Sequence, residues 1–170
     1  ADICHDIPEY RQEPFASKRA KAMLAQLTQP TLELRCEEAM APDVPFKVAL
    51  TFTNLKQVWL RVVMGDVQPG DTRSYRDQDA LKRLLRARPL REWTVLLPDD
   101  GDLNAHLTEL PVAPLSLGNY NIIASDSPKP TDNSLVVITP MQVTRLAMAQ
   151  RTGRDGRPGV LVMDRVDGTP

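Results

Sequence analysis

Apolar side chains recur at every second position through most of the middle of this 170-residue chain. From Phe46 to Phe52 they share one face, while Lys47, Thr51 and Thr53 share the other. Comparable rows occupy residues 32–36, 58–64, 93–97 and 120–124. A period of two is typical of antiparallel strands that bury one face and expose the other. The pattern therefore predicts about seven short strands within residues 31–139, with turn spacings typical of a two-sheet sandwich.

Two segments have helical spacing instead. Residues 14–27 are predicted to form a helix, with Pro14 in its first turn and Pro30 just past its end. This helix either connects to an upstream domain or packs on its own sandwich. A shorter helix is predicted over residues 76–87, ended by Pro89. The predicted fold class is all-β: an antiparallel β-sandwich, immunoglobulin-like or macroglobulin-like, with a short inserted helix and an N-terminal helix.

The alternation also predicts which side chains face the core. Met64 is expected to close the apolar row that begins at Val58. Leu107 is expected to face the core as well, which leaves His106 on the polar face as a surface or rim histidine.

Proline and tyrosine positions predict two local features. Pro140 is expected to separate a strand over residues 135–139 from one over residues 143–149. Gly118 and Tyr120 precede and open another strand, a Gly-x-Tyr pattern that indicates a tyrosine corner, in which the hydroxyl bonds back to nearby backbone. The alternative is simply a tyrosine within a strand.

The charged residues nearly cancel, to a formal net charge of −1. That balance supplies no long-range field for collecting nucleic acid or an anionic membrane. The longest apolar runs are strand-sized, so neither a membrane span nor a signal peptide is expected within these residues. Because the chain begins at Ala1 and stops in mid-pattern at Pro170, we expect a processed protein or an excised piece.

Groups able to carry chemistry are few and scattered. Cys4, His5 and Asp6 are neighbours in an irregular tail, where adjacent side chains point apart, so neither a thiol–imidazole pair nor a general base is expected there. The two cysteines and two histidines lack zinc-site spacing. The sequence therefore predicts no catalytic, no cofactor-binding and no metal-binding residues, and the chain is not expected to be an enzyme.

Two loops have a ligand-like composition without the full motif. Asp99 to Asp102 lacks the length and terminal glutamate of an EF-hand loop, so we expect a tight acidic turn. Gly153 to Arg157 lacks the Lys-Ser/Thr ending and following helix of a phosphate-binding loop, so we expect a flexible inter-domain loop.

Two features remain open at the level of sequence. Cys4 and Cys36 either form a disulfide, which would contribute roughly 3–4 kcal/mol by closing the loop, or remain free thiols. Five cations lie close together: Lys82, Arg83, Arg86, Arg88 and Arg91. This cluster either docks an acidic partner or a neighbouring domain, or is merely solvated. Without interleaved aromatic residues it is not expected to bind nucleic acid.

A series of short motifs, taken in order, resembles a known family. The motifs are Leu32-Glu33-Leu34, Pro45-Phe46 with a strand ending at Asn54, Val58-Trp59-Leu60-Arg61-Val62, Arg91-Glu92-Trp93, Leu115-x-Leu117-Gly118-x-Tyr120 and the final stretch from Val162 to Pro170. This order resembles the early macroglobulin-like domains of the large bacterial alpha-2-macroglobulins, over about residues 30–170.

The resemblance implies a domain organisation: residues 1–29 form a tail and connector helix, 30–140 a macroglobulin-like sandwich, and 141–170 the first strands of a following, truncated domain. It also implies a secreted protein, periplasmic or at the cell surface and possibly anchored through its parent, that traps proteases. Members that capture the protease covalently carry a Gly-Cys-Gly-Glu-Gln thioester pattern. Neither Cys4 nor Cys36 lies in such a pattern.

The function implied is that of a non-catalytic structural or interaction domain. Its partners would be neighbouring domains of the same parent chain and, through the parent, a protease. The alternative is an immunoglobulin-like adhesin or carbohydrate-binding module of a cell-surface protein, which would require aromatic side chains clustered on an exposed face.

Overall fold

The structure is a computed structural model that describes residues 14–65, 78–98, 101–131, 134–152 and 156–170. Both predicted helices are present within these ranges, as α1 (Pro14–Thr28) and α2 (Gln78–Arg86). In the described part of the chain, no helix has the length and apolarity needed to cross a bilayer.

Ten strands account for most of the remaining described residues. They are β1 (Thr31–Arg35), β2 (Ala39–Met40), β3 (Phe46–Thr53), β4 (Gln57–Met64), β5 (Arg91–Leu96), β6 (His106–Val112), β7 (Gly118–Ser125), β8 (Val136–Val143), β9 (Leu146–Thr152) and β10 (Pro158–Asp164).

The first eight strands form two facing sheets. One sheet has the order β1-β3-β6 and the other the order β2-β8-β7-β4-β5. All neighbours pair antiparallel except β2 and β8, which run parallel for two residue pairs. The chain thus crosses from one sheet to the other between β1 and β2. This is an immunoglobulin-like sandwich, and the predicted fold class is confirmed.

The core lies between the sheets and consists of the alternate residues that each strand turns inward. On β3 these are Val48, Leu50 and Phe52, and on the facing sheet Leu60 of β4 and Ile122 of β7 are equally buried. Each large apolar side chain buried in this way contributes about 1.5–3 kcal/mol.

The prediction for Met64 is wrong. Its side chain is 56 % exposed, whereas its neighbour Val63 is fully buried on the outer face of the five-stranded sheet. Ile123 on β7 is buried on that face too. On the same outer face, Arg61 donates a hydrogen bond to the carbonyl of Leu85 near the end of α2. One sheet therefore has buried residues on both faces, which simple alternation does not anticipate.

The predicted face of Leu107 is also wrong. Leu107 is 70 % exposed, and His106 lies on the same side of β6 as the buried Leu110 and Val112. Alternate residues of a strand share one face, so the direction of one of them decides the direction of all. Leu110 pairs with the buried Val48 on β3, and this directs the face that includes His106 towards the core. His106 is nevertheless a rim residue, half-buried at the start of the strand.

Pro140 does not separate two strands, because it lies inside β8. Gln142 and Thr144 donate their backbone N–H groups towards β2. The nitrogen of Pro140 faces the same side of β8, but β2 is only two residues long and does not reach it. No ladder bond to β7 is lost. Because Met141 and Val143 are buried in the core, the sandwich continues past the boundary predicted at residue 140.

β9 and β10 form a separate two-stranded antiparallel sheet after the sandwich. The segment from Gly153 to Arg157 therefore connects two strands of one hairpin, which corrects its prediction as an inter-domain loop; residues 153–155 lie outside the described ranges. The interpretation of residues 141–170 as the start of a following domain stays a prediction.

The predicted tyrosine corner is present. The Tyr120 hydroxyl donates to the carbonyl oxygen of Ser116 at 2.9 Å. Gly118 has φ of 156°, and a Cβ at that position would lie 3.2 Å from the Tyr120 oxygen. The glycine thus lets the backbone pass beside the ring, and the hydroxyl then ties the turn before β7 to the strand itself.

We expect Tyr120→Phe to lower the free energy of unfolding by about 1 kcal/mol, because the substitution removes one buried hydrogen bond and little volume. The measurement is a urea titration, with a lower midpoint at unchanged m-value. Ser116→Ala is the matched control and should unfold like the parent, since the acceptor is a backbone carbonyl. Equal midpoints for Tyr120→Phe and the parent would contradict the role assigned to the hydroxyl.

Candidate interaction surfaces

Arg61 positions the inserted helix against the sandwich. Its side chain is only 13 % exposed, on the outer face of β4. Nη1 donates to the carbonyl of Leu85 at 3.1 Å, and Nη2 lies 3.1 Å both from a Glu92 carboxylate oxygen and from the carbonyl of Pro128. One guanidinium therefore joins the end of α2, the edge strand β5 and the turn after β7.

The cations predicted to cluster around α2 do not all share one surface. Four are exposed, and we call them the α2 basic face: Lys82, Arg83, Arg86 and Arg88. Arg91 departs from the group, because it is half-buried and donates from Nη2 to the carbonyl of Pro114 at 2.6 Å. Two of the four, Arg83 and Arg86, lie in the last helical turn, where positive charge suits the helix dipole. Whether this face binds an acidic partner or is merely solvated stays open.

A groove opens where the two sheets part at their edges. β5 ends the five-stranded sheet and β6 ends the three-stranded sheet on the same side of the sandwich. The space between them measures about 390 Å³. We call it the edge groove, and its lining residues are Arg91, Glu92, Trp93, Pro111, Val112 and Ala113.

His106 and Asp102 form the one described pairing of a histidine with a carboxylate. His106 Nε2 lies 2.9 Å from Asp102 Oδ1, and its ring lies 5.6 Å from that of Phe52. Backbone and side-chain N–H groups of Asn104, followed by His106, hold the pKa of Asp102 at about 2. The adjoining cavity is about 20 Å³, roughly the space of one water.

Asp102 is thus engaged by protein donors. Asp99 and Asp100 of the predicted acidic turn lie outside the described residues. Within the described ranges, no three His, Cys, Asp or Glu side chains come together in a way that could hold a metal.

Cys36 follows β1 and is half-buried. Burial, and to a lesser degree the charges of Glu37 and Glu38, raise the pKa of its thiol to about 11. Cys4, together with His5 and Asp6, lies outside the described residues, so a pairing of Cys4 with Cys36 stays open.

The β9–β10 hairpin exposes apolar side chains on both of its faces. On one face Met148 lies opposite Val162, with Leu146 and Val160 beside them. All four of these side chains are exposed. On the other face Leu161 is exposed as well. Both outer edges are unpaired in the described part of the chain. The strand predicted over residues 143–149 overlaps β9, but the sequence did not indicate its pairing with β10 as a hairpin.

Aromatic residues do not form a binding platform on the described surface. The aromatic side chains whose burial is described are all buried or half-buried: Phe46, Phe52, Trp59, Trp93 and Tyr120. The exposed aromatic cluster required by the carbohydrate-binding alternative is therefore not found among them.

No protein-family model matches the chain, and neither does any curated protein. Among solved structures, the chain is similar to the CARDB domain of a Pyrococcus furiosus protein, which was crystallised in complex with di-metal ions. The two share 14 % identity with a TM-score of 0.38, over 68 % of this chain and 92 % of that one. A likeness of this size adds nothing to the topology described above.

We expect Arg61→Lys to loosen α2, because an ammonium cannot hold three separated acceptors in one plane. The free energy of unfolding should fall by about 1.5–3 kcal/mol, and the amides of residues 78–86 should exchange with deuterium faster. Arg35→Lys is the control, since its ion pair with Glu33 is exposed and worth about 1 kcal/mol at most. Unchanged exchange in α2 would count against the role of Arg61.

The reduced Cys36 thiol should be alkylated slowly by iodoacetamide at neutral pH. Because its folded pKa of about 11 exceeds its usual 9.0, folding favours the neutral thiol. This contribution to stability is complete below pH 9 and is lost as the pH rises towards 11. Labelling rates should reach half-maximum near pH 11 in the folded chain and near pH 9 in urea. A native midpoint near pH 9 would show that the thiol is not desolvated.

Proposed function

We propose that this chain is a non-catalytic structural and interaction module of a multidomain secreted protein, in which the sandwich is followed by at least one further β domain. The observation that carries the proposal is the β9–β10 hairpin. An immunoglobulin-like sandwich is a common building block of such proteins, but the fold alone does not assign a function.

The hairpin requires cover that the sandwich does not supply. A lone two-stranded hairpin is marginally stable in water. This hairpin also exposes Met148, Val160 and Leu161, on opposite faces. A sheet with apolar residues on both faces belongs to the interior of a larger layer structure. Additional strands pairing with its edges, and a second layer over each face, would bury these side chains.

The order of motifs supports a particular parent. It resembles the early macroglobulin-like domains of bacterial alpha-2-macroglobulins, in which sandwiches follow one another along the chain. On this proposal, the part of residues 141–170 that follows β8 contributes the first strands of the next domain. The parent would be a periplasmic or cell-surface protease trap, and the protease-binding chemistry would reside in other domains.

The expected consequence is a change in hydrogen exchange when the chain is lengthened. We compare the 170-residue chain with a version extended from the gene of the parent by one predicted sandwich domain. Amides of residues 146–164 should exchange at least tenfold more slowly in the longer chain, because new pairing protects them. Amides of β3 and β4 serve as the internal reference and should be unchanged.

Equal exchange of the hairpin in both chains would contradict the proposal. The proposal would also be contradicted if the reading frame of the parent encoded no further β domain. The protease-trapping assignment has its own test: the purified parent should retain a labelled protease on gel filtration after limited cleavage, and a parent that never retains one is not a trap.

A further inference from the structure

The outer edge of β5 is available for pairing. In the described part of the chain no strand lies beyond it. Leu97 donates its N–H to the carbonyl of Lys56, in register with the β4–β5 ladder, so residues of that parity bond to β4. The alternate residues Glu92, Thr94 and Leu96 therefore turn their backbone N–H and C=O groups to the free edge. Leu96, at 79 % exposure, marks the end of this edge.

The opposite wall of the edge groove favours β5 as the pairing strand. Pro111 lies on β6, and proline is a residue by which sheet edges discourage further pairing. β5 contains no proline from Arg91 to Leu96. An extended chain entering the groove would thus find an uninterrupted row of ladder partners on β5, whereas Pro111 offers no N–H on β6.

The interior of the groove is apolar. Trp93 is half-buried and contacts the core from β5, while Val112 is buried on β6. A volume of about 390 Å³ accommodates one or two aliphatic side chains against the indole.

The charge at the groove is positive. Arg91 lines it, and while Nη2 donates to Pro114, Nη1 is buried without an acceptor. Glu92, the one carboxylate of the lining, is already paired with Arg61. The exposed Arg88 lies three residues before Arg91 in the chain. A buried guanidinium N–H without an acceptor is costly, and an incoming carboxylate would relieve that cost.

We propose that the edge groove binds an extended segment of another polypeptide, which adds as a strand to β5. The segment sets an aliphatic side chain on Trp93 and a carboxylate at Arg91, whose guanidinium turns to meet it. Main-chain hydrogen bonds supply affinity, and the paired aliphatic and acidic positions supply specificity. This inference is independent of the proposed role of the hairpin.

The test is fluorescence anisotropy with the 170-residue chain and two labelled heptapeptides. One has the sequence Thr-Val-Thr-Val-Thr-Asp-Thr, in which valine and aspartate lie two residues apart on one face, as Trp93 and Arg91 do on β5, and in the other lysine replaces aspartate. The acidic peptide should bind at least tenfold more tightly than the basic one. Arg91→Gln should remove that preference, whereas Arg35→Gln, which deletes the same charge on β1 at the other edge of the facing sheet, should leave it intact.

Thr94→Pro tests the strand addition separately. It deletes an N–H at the free edge and spares the ladder to β4, so circular dichroism should be retained while binding of the acidic peptide falls at least tenfold. In the unsubstituted chain, the peptide should slow hydrogen exchange at Thr94. Equal binding of both peptides, full binding by Thr94→Pro, or protection confined to other strands would overturn the proposal.

Discussion

The sandwich depends on the contact between the inward rows of β3 on one sheet and of β4 and β7 on the other. Leu50, Leu60 and Ile122 are fully buried there, and their burial sets the parity of every strand that pairs with them. A shift of one residue in any of these strands would expose its whole apolar row. The tyrosine corner and the crossing between β1 and β2 are possible because this contact fixes the two sheets face to face.

The second layer of organisation is polar. Arg61 gathers the end of α2, the carboxylate of Glu92 and the carbonyl of Pro128 on the outer face of the five-stranded sheet. Val63 and Ile123 are buried on the same face. The same arrangement neutralises Glu92, which leaves Arg91 as the dominant charge at the edge groove. A single guanidinium thus connects the packing of an insertion with the electrostatics of a surface.

The two proposed interaction surfaces differ in what they lack. The β9–β10 hairpin lacks cover on both faces, which is the condition of a sheet whose layers belong to another folded unit. The edge groove lacks only one strand and one acceptor, which a short extended segment can supply. The first surface points to permanent association with a neighbouring domain, whereas the second is suited to a peptide that binds and leaves.

The sequence by itself determined the strands with one buried face, both helices and the corner at Tyr120, because each rests on periodicity or a local pattern. It could not determine the exposure of Met64, the parity of β6 or the continuity of β8 through Pro140, since these depend on which strand lies alongside. The edge groove could not be predicted from the sequence either. In the sequence Arg91 belongs to a basic cluster, and only the fold brings its side chain to the carbonyl of Pro114. Residues distant in the chain decide such features, and only the tertiary structure brings them together.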